Sequence, residues 1–174
     1  MRGFDSCAGH EEEREPMDTI TDNAAPFDLE ALVLKHGNHE ARAKGVCLME
    51  AVAWWANEPH SDHPKCASRV LTEYGISLND RFRDDERQLL KRFIPLLVGT
   101  AGDADIEMRR AYVLVDRSIR VIVPMALDKR WPDKAASLRS LSQIKDEASA
   151  RVAAAACREI RKDLYAYAAD AAAA

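Results

Sequence analysis

Val46-Cys47-Leu48-Met49-Glu50-Ala51-Val52-Ala53-Trp54-Trp55-Ala56 is apolar on every side except at Glu50. A helix without a polar face is ordinarily enclosed by other elements. The stretch therefore predicts a central helix over about 46–57, and its start falls at Gly45 or Val46 because glycine weakens a helix interior. It also sets a problem, since one carboxylate falls in the interior and needs a dedicated partner there.

Working outward, Gly37-Asn38-His39-Glu40 predicts a turn before this helix. A first helix is expected after Pro26, capped by Asp28, striped by Leu29, Leu32 and Val33, and stopped at Gly37. On the other side, Glu58-Pro59-His60-Ser61-Asp62-His63-Pro64 predicts a proline-bracketed loop. Ser61, Asp62 or His63 would cap a helix with Pro64 in its first turn, ending at Gly75. Asp84 or Asp85 opens another, kinked by Pro95 and ended by Gly99. Asp103 or Asp105 caps a long one carrying Tyr112, Val115, Ile119 and Ile122, bent at Pro124. Asp133 opens a further helix with Leu138, Leu141 and Ile144, and residues 146–174 predict an Ala-rich, solvent-facing helix. Residues 1–25, with Glu11-Glu12-Glu13-Arg14-Glu15-Pro16, read as a disordered leader. The expected architecture is all-α: about six helices around the central one, with a helical domain over 26–145 between leader and Ala-rich helix.

Composition narrows the function. A length of 174 residues suits one domain, and a net charge of −4 argues against non-specific nucleic-acid binding. No apolar run is long enough to predict a membrane span. Met1 to Pro16 carries seven charges and no apolar core of a secretory signal, so a cytoplasmic protein is expected. No GxGxxG, P-loop, HExxH or GxSxG pattern occurs, which disfavours common nucleotide, zincin and hydrolase chemistries.

His36, His39, Cys47, His60, His63 and Cys66 are concentrated around Glu50 and Asp62. Three arrangements compete. In the first, His39, Cys47, His63 and Cys66 bind Zn²⁺, with Glu50 or Asp62 as further donors, because thiolate and imidazole suit that ion. In the second, Cys66 is a reactive thiol at a helix N-terminus with His60 or His63 as base. In the third, Cys47 and Cys66 are small buried hydrophobes, Asp62 and Ser61 are caps, and Glu50 accepts from backbone N–H groups or from His63. Each shares one statement, that Glu50 is interior with a dedicated partner, and Glu50, Asp62 and His63 form the candidate cluster.

Gly37-Asn38-His39, the Gly45 to Ala53 run and Glu58 to Ser68, with its CLMEAVAW…EPHSDHPKCAS pattern, resemble a family of uncharacterised bacterial and bacteriophage helical proteins. The resemblance continues through Leu78-Asn79-Asp80, Pro95 to Thr100, Arg109-Arg110-Ala111 and Pro124 to Asp128, covering roughly residues 37–174. It points to His39, Cys47, Glu50, Asp62, His63 and Cys66. It implies an aromatic more often than histidine at His60, and a helix-capping glycine at Asn57, for which asparagine substitutes well. It implies no activity.

The function expected from these observations is a small helical binding protein with a protein partner, an inhibitor or adaptor of a larger complex, with zinc as a structural option. Tyr165 and Tyr167 make the Ala-rich helix a candidate partner-facing element. The alternative is an enzyme using Cys66 with His63, or a metal-bound water with Glu50 as general base. Direct nucleic-acid binding through Arg109, Arg110, Arg117 and Arg120 is disfavoured, because these do not read as one clean stripe.

Overall fold

The computed structural model describes residues 27–173, with side chains through residue 168. The expected leader lies outside the described residues. The fold is all-α. Its helices are α1 Leu48–Trp55, α2 Arg69–Arg81, α3 Asp84–Gln88, α4 Ile94–Leu97, α5 Ala104–Arg117, α6 Val123–Leu127, α7 Pro132–Arg139 and α8 Glu147–Ala173. A 3₁₀ turn, Leu89–Phe93, joins α3 to α4, and a π-helical turn, Ser118–Ile122, joins α5 to α6. Counted as continuous runs, the described residues make six helices.

α1 is the predicted central helix, shortened at its start. Gly45 adopts a positive φ, and a Cβ there would crowd the Lys35 and His39 side chains, so the chain turns sharply before Cys47 takes the N-cap. Leu48 to Ala53 are all buried. The helix ends in a Schellman arrangement: Asn57 takes the left-handed conformation, its N–H donates to the Trp54 carbonyl, and the Glu58 N–H donates to the Ala53 carbonyl.

The helix expected after Pro26 does not form. Asp28 caps a single turn, its carboxylate accepting from the Glu30 and Ala31 N–H groups, and the chain then runs extended. Leu32 and Leu34 are buried while Val33 between them is exposed, which is the period of a strand. Leu34 makes an isolated parallel bridge to Val46.

The helix expected to stop at Gly75 starts later and runs through that glycine. Ser68, not the Ser61-to-His63 segment, caps α2, its Oγ accepting from the Leu71 N–H. A Cβ on Gly75 would lie 3.1 Å from Met49 Sδ and 3.2 Å from a Leu48 methyl. The missing side chain lets α2 lie close against α1. Pro95 acts as expected, since the helix breaks into the 3₁₀ turn ahead of it. Pro124 is met differently: it lacks an N–H, and the π-helical turn just before it resets the hydrogen-bond register.

Two apolar clusters result. The larger surrounds α1 and takes in Leu32, Leu34, Val46, Leu90 and Ile94. The smaller joins Leu127, Ala135 and Leu138 to Ala156, Cys157, Ile160 and Leu164. The Ala-rich helix is thus not wholly solvent-facing, because one face of α8 packs on α7. Among the described residues, no helix is long and apolar enough to cross a membrane.

Candidate functional site

Glu50 is buried, with 1% of its surface exposed. It stands at the third position of α1 and closes a capping box: its Oε2 accepts from the Cys47 N–H at 2.7 Å, while its own N–H approaches Cys47 Sγ at 3.5 Å. Oε1 accepts from the His39 N–H at 2.6 Å. The His39 ring places Nδ1 2.9 Å from Oε2, and His60 Nε2 lies 3.6 Å from Oε1 and 2.8 Å from the His39 carbonyl. The interior carboxylate is answered by two backbone N–H groups, one of the two expected answers, with the His39 and His60 rings added. The other expected answer, His63, is elsewhere.

His63 is exposed, with Nδ1 2.7 Å from Asp62 and Nε2 3.3 Å from Glu73. The hydrogen bond to Asp62, opposed by burial and aided by Glu73, raises its pKa. Asp62 and Cys47 line one cavity of about 230 Å³ with Asn38, Asn79 and Asp80, so the structure brings this pair together and leaves His63 outside. Burial, partly offset by the Glu50 N–H, pushes the Cys47 thiol up to about 12, so it is a protonated core group at neutral pH. Cys66 lies in the loop before α2, not in a helical first turn. Burial and then the charge of Glu58 raise its thiol as well. Neither thiol has the electropositive surroundings of a nucleophile. Among the described residues, no three His, Cys, Asp or Glu side chains form a set that could hold a metal ion, so His39, Cys47, His63 and Cys66 are not assembled as the zinc reading requires.

Around the Glu50 centre lies a second layer of polar side chains, of which Asn79 and Arg87 are buried. The Asn79 side chain is fully enclosed, accepting from the Leu48 N–H at 3.1 Å and donating to the Lys35 carbonyl at 2.9 Å. Gln88 reads both backbone groups of Leu34, accepting its N–H and donating to its carbonyl, each at 2.9 Å. Lys91 reaches the Glu30 and Leu32 carbonyls. Asp80 accepts from the Gly37 N–H; burial works against its charge, yet that bond and the Asn79 amide leave its pKa lowered. Arg87 donates to the Asn79 and Phe82 carbonyls at the end of α2. Every one of these groups bonds to backbone of the fold, which marks the region as a structural centre.

A cavity of about 640 Å³ is lined in part by His63, Lys65, Arg69, Glu73 and Glu107. It does not offer the α2 N-terminus to a ligand, because Glu107 already occupies it: Oε2 accepts from Ser68 Oγ at 2.6 Å and the Val70 N–H at 3.0 Å. Arg110 donates to Oε1 at 2.8 Å.

α5 carries the arginines that the sequence alone does not resolve into one stripe. None of its 14 residues is buried, although Met108, Val113 and Val115 are large and apolar. Between α5 and α2 runs a groove of about 430 Å³ with Leu71, Ile106, Val113 and Leu114 as its floor and Arg109, Arg110 and Arg117 along it. The three arginines do share an order. Arg109, Val113 and Arg117 recur at every fourth residue, and Ile106, Arg110 and Leu114 form the adjacent row. Arg109 and Arg117 are exposed and form no salt bridge among the described residues. The signal available in the sequence is the seven-residue spacing of Ile106 and Val113 with Arg109, Arg110 and Arg117 on the same side of the helix.

Comparisons with protein families, with curated proteins and with solved structures give no match for this chain.

Proposed function

We propose that this chain is a protein-interaction module whose binding face is the groove between α5 and α2, an adaptor or inhibitor that takes up an acidic, amphipathic helix from its partner. The observation that carries this reading is the combination in one groove of an uncovered apolar floor and two exposed arginines, Arg109 and Arg117, outside any salt bridge among the described residues. Exposed Val113, at 59%, lies between Arg109 and Arg117. An apolar groove with a single-sign rim suits an amphipathic helix with anchors at every third or fourth residue. A second copy is a poor occupant, since a two-fold contact would set the arginines against each other. The free thiols of Cys47, Cys66 and Cys157 suit a reducing compartment, and we place the protein in the cytoplasm on that ground.

The enzyme alternative draws little from the geometry. Glu50 spends its oxygens on backbone and imidazole groups inside the fold, and His63 and Cys66 do not converge on it. The test is direct binding of a synthetic helical peptide with leucines at i, i+3, i+4 and i+7 and glutamates between them, followed by fluorescence anisotropy. The full chain is expected to bind it, and to bind the lysine-for-glutamate version far less. Equal binding of both peptides, or of neither, overturns the reading.

A further inference from the structure

The chain's negative charge is not spread evenly. Residues 1–26 hold seven carboxylates against two arginines, while the whole chain carries −4, so residues 27–174 are left with one surplus positive charge. The acidity sits at one end of the sequence, and the exposed arginines Arg109 and Arg117 sit on the α5 groove.

We propose that the acidic N-terminal segment, through Glu11, Glu12, Glu13 and Glu15, occupies the α5 groove of its own chain and competes there with the partner helix. This rests on the groove being the binding face, and it adds the regulation of that face.

Geometry permits the contact. The segment is anchored at Phe27, whose ring meets those of Trp54 and Trp55 edge-on at 4.8 and 5.1 Å. α1 packs on α2, and α2 supplies Leu71 to the groove. Two interhelical steps of about 8–10 Å make a path of roughly 20 Å. Glu15 lies twelve residues before Phe27, and an extended chain at ~3.3 Å per residue reaches about 40 Å. The chemistry also matches: carboxylates meet guanidinium groups as paired hydrogen-bonding partners, and Met17 and Ile20 follow the acidic run as apolar side chains for the floor. Tethering favours this occupant over a free segment of equal charge, since a short tether holds its end at an effective concentration on the order of millimolar.

The test compares three full-length proteins: wild type, a leader variant carrying Glu11→Gln, Glu12→Gln, Glu13→Gln and Glu15→Gln, and a groove variant carrying Arg109→Glu and Arg117→Glu. Two measurements are made on each: amide hydrogen exchange over residues 104–117 across a range of protein concentrations, and anisotropy with the acidic amphipathic peptide. The amides of the α5 end turns are expected to be more protected in the wild type than in the leader variant, equally at all protein concentrations. The leader variant should bind the peptide about tenfold more tightly at low salt, the factor expected when a tether near millimolar competes with a contact of about 0.1 mM dissociation constant, and the difference should vanish at high salt. Identical exchange and identical affinity in wild type and leader variant, with binding lost in the groove variant, overturns the leader proposal and leaves the groove standing. Leader-dependent protection without peptide binding by any protein supports the leader contact and overturns the partner reading. Protection that rises with protein concentration overturns the same-chain contact.

Discussion

The two apolar clusters are built on different principles. Around α1, polar side chains drawn from distant sequence are pulled inside and used as backbone ligands: Glu50, Asn79, Arg87 and Gln88 each close donors or acceptors that no regular sheet or helix would satisfy. Around α7 and α8, the packing is made of small and aliphatic side chains, Ala135, Leu138, Ala153, Ala156 and Ile160, and the polar work is done at the surface. There Arg130 sits about 5 Å from the rings of both Trp131 and Tyr167, and Asp128 takes Arg139 in a two-pronged pair. An apolar contact degrades gradually as atoms are removed. A buried donor that loses its acceptor keeps its whole desolvation penalty. The first region should therefore fail abruptly and the second by degrees.

The largest effect is expected at Glu50. Glu50→Ala strands the Cys47 and His39 N–H groups in the interior, and a loss of about 3–5 kcal/mol is expected, the range for breaking a buried charge network on one side. Urea denaturation followed by circular dichroism gives this number, and a loss under about 1 kcal/mol, no more than an ordinary single hydrogen bond, would erase the contrast. Next comes Leu138→Ala, expected to cost about 2–4 kcal/mol by cavity formation. Hydrogen exchange should show its effect confined to α7 and α8, with the amides of α1 unchanged. Spread of the effect to α1 would mean the two clusters unfold as one. A smaller effect is expected where α5 meets the start of α2. The Ser68 hydroxyl, then the Val70 N–H and Arg110, lower the Glu107 pKa. A group whose pKa is lowered by folding stabilises fully above its ordinary value, and that contribution is lost as pH falls through the folded value. Thermal melts of wild type and Glu107→Gln from neutral pH into acid should therefore differ at the start and converge at the end. The smallest is at Asn57, where Asn57→Ala is expected to cost about 1 kcal/mol and Asn57→Gly almost nothing, because only the left-handed backbone conformation is at issue. Equal melting of the two variants would show that the asparagine is held by something other than its φ.

Much of the architecture is legible from local signals. The enclosed helix, the interior carboxylate, the Asp103 cap, the break at Pro95 and the helical run after residue 146 all rest on interactions a few residues apart. The departures share one cause. Leu29, Leu32 and Val33 fit a helical stripe, yet Leu34 is held by Gln88, far along the chain, and that contact has no local trace. Gly75 reads as a stop because glycine is a poor helix former, and only the approach of Met49 and Leu48 explains why it stands mid-helix. The site follows the same rule. That Glu50 is matched follows from its surroundings, but which imidazole matches it depends on how the loop from Glu58 to Ser68 crosses. That crossing delivers His60 and turns the proline-bracketed His63 outward. The arginines of α5 are visible as residues and invisible as a groove, because Leu71 comes from another helix.

Holding the segment around Leu34 by side chains of Gln88 and Lys91 also imposes an order of assembly. A ribosome releases the chain from its amino-terminal end, so the earlier segment leaves the tunnel well ahead of the amide and ammonium that will grip it. Until then the Glu30, Leu32 and Leu34 carbonyls lack those partners. The stretch from Phe27 to Leu34 must therefore settle late, although it is made early.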